Sequence, residues 1–239
     1  MDLSTRYKSD NCLKNKLFIR GYLVTDDNRC TEYVRSDLDW EKYSVQKFTI
    51  WKSKEHKIFI KNTGLQSLIL IGHAYNPFRG ISDERVIIAS LMKRLYQGRV
   101  KQFWELFNEL TGVFTLFYIN NDVLYMAGDA SGIQTSFYVI DQGQIYISSH
   151  TNLLGDILGL SWDPYVTRLA HYRFFKLLGN SLPGDLTQFK EVRRLVPNHY
   201  VIFRSGHQPI VKRFFIPSVQ QLTDREIVEQ ASYIMHKNM

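Results

Sequence analysis

Apolar residues along the chain follow two periods, and the places where the period changes mark the elements. A period-two run at Leu17 to Thr25 predicts a strand that ends in the turn-forming Asp26-Asp27-Asn28. The polar stretch from Arg29 to Tyr43 predicts no element. Three short β-rich runs follow, at Val45 to Trp51, Lys57 to Lys61 and Ser67 to Ile71. A helix is predicted from Ser82, read as its N-cap, with an apolar stripe of Val86, Ile87, Ser90, Leu91, Met92 and Leu95 and a stop at Gly98. Val100, Phe103, Trp104, Phe107 and Leu110 repeat three and four apart, a second helix.

The period then returns to two. Gly112 to Ile119, Val123 to Gly128, Ser136 to Ile140 and Gln144 to Ser148 read as a strand meander, with hairpin turns at Asn120-Asn121-Asp122 and Asp141-Gln142-Gly143. Helices are predicted at Thr151 to Leu158 and at Pro164 to Leu178, the latter bounded by Asp163, Pro164 and Gly179. Strands at His199 to Arg204 and Pro209 to Phe214 precede a last helix, Thr223 to Lys237, in which Thr223 and Glu226 form a capping box. Strands, helices, a meander, helices and strands again predict an α+β domain of antiparallel sheets flanked by helices.

Composition narrows the function classes. The chain has 239 residues, 44% of them hydrophobic, enough for a sizeable core. The net charge of +7 invites nucleic acid as a partner, but the basic residues are spread thinly and no recognition motif accompanies them. The densest groups are Lys52, Lys54, Lys57 and Lys61, read as the solvent face of a hairpin, and Arg193, Arg194, Arg204, Lys212 and Arg213. No apolar run approaches the ~18 residues of a membrane span, and the polar N-terminus has no signal-peptide core. A cytoplasmic protein with neither nucleic acid nor a membrane as partner is the expectation. Cys12 and Cys30 fit neither zinc spacing nor a disulfide framework, and the seven histidines show no metal-ligand spacing.

Against this background one resemblance stands out. Leu110, Gly112, Phe114 and Phe117, then Ala127, Asp129, Gly132, Ile133 and Tyr138, then Gly143, Ile145 and Ser148-Ser149, resemble the central signature of class II glutamine amidotransferases of the asparagine synthetase type. Thr187, Phe189, Val192, Leu195, Pro197, Asn198, His199 and Tyr200 match a later family run in register. The resemblance spans roughly 200 residues. It implies a four-layer αββα sandwich, two antiparallel sheets between helices, of the N-terminal-nucleophile hydrolase type. It divides the chain into a polar extension (1–16), the amidotransferase-like domain (17–219) and a helix leading toward a missing synthetase domain (220–239).

Family glutaminases attack glutamine with an N-terminal cysteine whose own amine serves as base. The family start aligns with Leu17-Phe18-Ile19-Arg20-Gly21, so Leu17 stands at the nucleophile position with sixteen residues ahead of it. Cys12 would overshoot the pocket by roughly 15 Å if extended. The family's oxyanion motif aligns with Ile71-Gly72-His73-Ala74-Tyr75-Asn76, so Ile71 replaces the asparagine donor, a loss that typically removes two to three orders of magnitude in rate. Asp83 matches the aspartate that binds the substrate's α-amino group, and equally suits the positive end of a helix. The arginine motif that grips the substrate carboxylate has no counterpart.

The resemblance therefore implies a pseudoenzyme domain with no catalytic residue of its own and a vestigial glutamine pocket of Gly72, His73, Asn76 and Asp83. ATP and magnesium belong to a missing C-terminal adenylating domain, and no cofactor is expected in this chain. The partner would be that synthetase domain in cis, or a protein in trans; a homodimer is compatible with either. The function implied is that of a scaffold in an ATP-dependent, amide-forming ligase. The alternative is a free-standing binding module with a repurposed glutamine pocket, and a third reading is an active glutaminase with an unorthodox nucleophile.

Overall fold

A computed structural model describes Lys16, residues 18–27, Val34, Leu38, 40–177, Gly179, 182–215 and 223–238. The predicted extension (Lys16 apart), position 17 and both cysteines lie outside the described residues. The strands are β1 (Tyr22–Thr25), β2 (Trp40–Val45), β3 (Phe48–Ser53), β4 (Ile58–Thr63), β5 (Gln66–Tyr75), β6 (Thr111–Asn120), β7 (Val123–Gly128), β8 (Phe137–Asp141), β9 (Gln144–Ser148), β10 (Arg193–Arg194), β11 (His199–Arg204) and β12 (Ile210–Arg213). The helices are α1 (Glu84–Tyr96), α2 (Val100–Asn108), α3 (Thr151–Leu158), α4 (Pro164–Ala170), α5 (Arg173–Leu177) and α6 (Asp224–Asn238). Two six-stranded sheets form, ordered β10-β8-β9-β1-β3-β2 and β12-β11-β7-β6-β5-β4, and every pairing is antiparallel.

Side-chain alternation on these strands builds three apolar layers. Val24, Ile50 and Ile147 of the first sheet meet Ile69, Phe117 and Phe203 of the second, filling the space between the sheets. The other face of the second sheet, Leu68, Leu70 and Leu116, packs on Ile87 and Leu91 of α1 and Phe103 and Phe107 of α2. The outer face of the first sheet, Leu23, Trp51 and Tyr146, packs on Leu153 and Leu154 of α3. The fold is thus α+β, an αββα sandwich of two antiparallel sheets between helices, as expected from the sequence.

Several elements differ from the sequence reading. Val45 to Trp51 is not one strand, because Gln46 takes a left-handed φ of 54° and turns β2 into β3. Its amide donates to the Leu65 carbonyl (2.8 Å) and Ser67 Oγ (3.1 Å), pinning this turn to the β4–β5 turn. Lys52 is not on a solvent face: it is buried, with Nζ 2.7 Å from Glu41 Oε2 on the neighbouring strand. The meander does not form one sheet, since residues 129–136 carry the chain from β7 in the second sheet to β8 in the first.

The helices shift in smaller ways. Asp83, not Ser82, caps α1, accepting a hydrogen bond from the Arg85 amide at 2.8 Å. Val86 faces solvent rather than the core. The helix predicted over 164 to 178 breaks at His171-Tyr172, where His171 Nδ1 donates to the Thr167 carbonyl and the Tyr172 amide tightens onto Leu169. The capping box of α6 forms as read, Thr223 and Glu226 bonding reciprocally.

Candidate functional site

Strands of both sheets meet around Tyr22, Gly72 and Ser136; position 17, the nucleophile position implied by the resemblance, lies outside the described residues. β1 enters through a turn in which the Gly21 amide donates to the Phe18 carbonyl at 2.9 Å. β3 leaves beside it and crosses to β4 through His56. The last residues of β5, the first of β6, the 129–136 crossover and the Ser149-His150 end of β9 complete the ring.

Gly72 and Gly112 set the backbone of this end. At φ values of +115° and +134° they face each other's strands so closely that a Cβ on Gly72 would lie 2.2 Å from the Val113 carbonyl oxygen. A Cβ on Gly112 would lie as close to the His73 carbonyl oxygen. Only glycine fits either position. The Gly72 amide, which the resemblance makes an oxyanion donor, points at the Lys57 carbonyl and donates to it at 2.9 Å. Ile71 is fully buried among the apolar side chains between the sheets. An oxyanion arriving here would find one donor already engaged and an alkyl group in place of the other.

Hydroxyls fill the space between the strands. Tyr22 is fully buried, and its phenol bonds Ser136 Oγ (2.6 Å) and Thr115 Oγ1 (3.2 Å), which bond each other at 2.9 Å. Burial pushes the Tyr22 pKa up to about 12, so the phenol stays neutral. Asp129 closes the crossover beneath them by accepting the Ser131, Ile133 and Gln134 amides, at 2.9 to 3.1 Å.

Two histidines flank the cluster. His56 lies 6.3 Å from the Tyr22 ring, and its Nε2 is buried without a hydrogen-bond partner among the described residues. Burial pushes its pKa down to about 4, so the imidazole is neutral at physiological pH. Burial also lowers His150, whose Nδ1 lies 2.8 Å from Ser149 Oγ. Ser149–His150 has the separation of a nucleophile–base pair. Ser149, however, is buried, and its Oγ accepts the Tyr22 amide at 2.9 Å, tying β9 to β1. That bond gives the Ser149 hydroxyl a structural role at the junction of β9 and β1.

The pocket residues of the sequence reading each have partners of their own. His73 is more than half exposed and pairs through Nδ1 with Glu84 at the start of α1. Asn76 is buried, its Nδ2 donating to Glu109 Oε2 at 2.8 Å and its Oδ1 accepting the Arg79 amide at 3.0 Å. Arg79 grips the same Glu109 with two hydrogen bonds of 2.6 and 2.9 Å, holding the Glu109 carboxyl below its ordinary pKa. Asp83 is engaged as the α1 cap. No hydrogen bond among the described residues joins His73, Asn76 and Asp83.

Tyr22, His56, Thr115, Ser136 and Glu109 were not singled out in the sequence. Thr115 carried the one usable signal, a polar residue inside the apolar run Val113 to Ile119. No group of three or more His, Cys, Asp or Glu side chains among the described residues is arranged to hold a metal ion. No helix among them is long and apolar enough to cross a membrane.

Solved structures align with most of the chain, two of them as follows. One is glutamine phosphoribosylpyrophosphate amidotransferase from B. subtilis in complex with ADP and GMP, at 10% identity and a TM-score of 0.44, covering 89% of this chain and 47% of that one. The other is an allosteric regulatory enzyme of purine biosynthesis, at 13% identity and a TM-score of 0.47, covering 88% of this chain and 46% of that one. The chain spans about half the length of each. No protein-family model matches it, and no curated protein sequence does.

Proposed function

We propose that this chain is a degenerate glutaminase-like domain: it keeps the sandwich of an amidotransferase of the asparagine synthetase type and does not hydrolyse glutamine. The observation that carries the reading is the state of the oxyanion position. Ile71 lies in the core, and the adjacent Gly72 amide is bonded to Lys57. The hydroxyl cluster of Tyr22, Thr115 and Ser136 packs the interior behind it. In this reading the domain is a scaffold for an adenylating synthetase unit, in cis or in trans, that forms an amide with nitrogen from a source other than glutamine. That unit would hold ATP and magnesium. In this chain Ser131-Gly132 belongs to the β7–β8 crossover and Ser205-Gly206 to the β11–β12 turn.

The test is ammonia release from glutamine, with Cys12→Ala as control. No ammonia above the protein-free blank is expected. Release that disappears in Cys12→Ala would instead establish a working nucleophile and overturn the proposal.

A further inference from the structure

On the helix side of the second sheet, the corner between α1 and α2 leaves a cavity of about 270 Å³. Its floor is a set of three tyrosines on adjacent strands. Tyr118 on β6 stands opposite Tyr125 on β7, their rings 5.6 Å apart. Tyr200 on β11 pairs with Ala127, two residues along β7, so its ring emerges on the same face. Burial raises the pKa of Tyr118 and Tyr200, and in both the neighbouring Tyr125 adds to the effect. None of the three hydroxyls has a hydrogen-bond partner among the described residues. The adjoining wall is apolar and aromatic, and in it Trp104 of α2 meets the Tyr200 ring at 4.9 Å and stacks on Phe214 at 5.0 Å.

Two further features define what fits. Among the described residues the lining contains no Asp, Glu, Lys, Arg or His, so these offer a charged group no compensation for its desolvation. The carboxamides of Gln66 and Asn120, paired across β5 and β6, close one end, and Gln66 Oε1 is buried with no partner among the described residues. A cavity of ~150 Å³ lined by apolar side chains accepts benzene, and drug-sized ligands need ~300 Å³ or more. The volume here falls between, the size of one or two rings.

We infer that this cavity is a binding site for a small, uncharged aromatic ligand with a polar edge, which packs beside the touching Trp104 and Tyr200 rings and hydrogen-bonds the tyrosine hydroxyls. The site lies on the other face of the second sheet from the hydroxyl cluster, so it is independent of the proposed loss of glutaminase activity. Aromatic rings favour offset or edge contacts at the spacings seen here, and partnerless phenols can serve either a donor or an acceptor on the ligand.

Indole is the probe, titrated into the full chain while the Trp104 side-chain N–H resonance is followed. A saturable shift is expected, with indole-3-acetate at least tenfold weaker because its carboxylate finds no counter-charge. Ala127→Leu, which fills the floor, should abolish the shift. Tyr125→Phe, which keeps the ring and therefore the fold, should weaken indole three- to tenfold, and it carries the test if Ala127→Leu does not fold. Absence of a saturable shift up to the solubility limit, equal affinity for the neutral and anionic probes, or unchanged binding to Tyr125→Phe would each overturn the inference.

Discussion

Replacing Tyr22 by phenylalanine tests whether the hydroxyl cluster holds the two sheets together at this end. The ring is fully buried and meets Phe117 edge-on at 5.9 Å, contacts that phenylalanine keeps. What is lost is the phenol, with its bonds to Ser136 (2.6 Å) and Thr115 (3.2 Å). The remaining two hydroxyls stay bonded to each other at 2.9 Å, so neither is left without a partner. The cost is therefore the net worth of one or two buried hydrogen bonds, about 1–2 kcal/mol, and not the larger penalty of an orphaned polar group. For a chain of this size that corresponds to a fall in Tm of about 3–6 °C.

Urea unfolding at pH 7 measures it, as a lowered midpoint at unchanged slope. A double-mutant cycle with Ser136→Ala should return a coupling of about 1 kcal/mol. The alkaline limb gives a second reading. The folded phenol ionises near pH 12 and the unfolded one near 10, so the unfolded state sheds its proton first. Stability from this group is complete below pH 10 and declines as pH rises toward 12. Tyr22→Phe should flatten that decline, leaving the share of Tyr138, which burial also pushes up to about 12. A destabilisation below about 0.3 kcal/mol together with zero coupling would refute the cluster as a bonded unit.

Two further predictions concern the same end of the sandwich. Gly72→Ala should destabilise by more than about 3 kcal/mol, since its Cβ meets the backbone of Val113 and Phe114, whereas Gly143→Ala, with open space around it, should lose only about 1 kcal/mol. Equal midpoint shifts for the two in urea would sink the close-approach argument. His56→Gln should reduce the acid sensitivity of the chain. The folded imidazole takes its proton near pH 4 and the unfolded one near 6.5, so stability falls as pH drops through that window. His150, shifted in the same direction by burial, leaves part of the slope in place, and an unaltered slope in the variant would count against His56.

Much of the fold was legible because its elements carry their own signals. The helices α1, α2 and α3 and the strands β6 to β9 follow from periodicity, and the hairpins at Asn121 and Gln142-Gly143 follow from turn chemistry. The failures share a physical cause, which is that the deciding partner lies elsewhere in the chain. The turn at Gln46 has no glycine, asparagine or proline, and is held by an amide bonded to the β4–β5 turn. Lys52 is buried because strand pairing brings Glu41 to it. The Tyr22 cluster joins residues 93 and 114 positions away, and Ser149 reaches Tyr22 from 127. No local pattern encodes these meetings; only the sheet order does.

The same distinction bears on how the family motif should be read. The residues of this chain that match the quoted motifs have structural roles of their own. Gly72 and Gly112 allow β5 and β6 to approach, and Asp129 collects three backbone amides of the crossover. Thr187 bonds the carbonyls of Phe189 and Val192, fixing the segment that packs under α3. Tyr200 supports the α1–α2 corner through Trp104. Position 71, where the resemblance calls for a chemically active side chain, carries isoleucine, which the inter-sheet core accepts at no cost. The scaffold reading proposed above rests on that division: the matching residues named here have packing or backbone partners, and position 71 has only apolar neighbours.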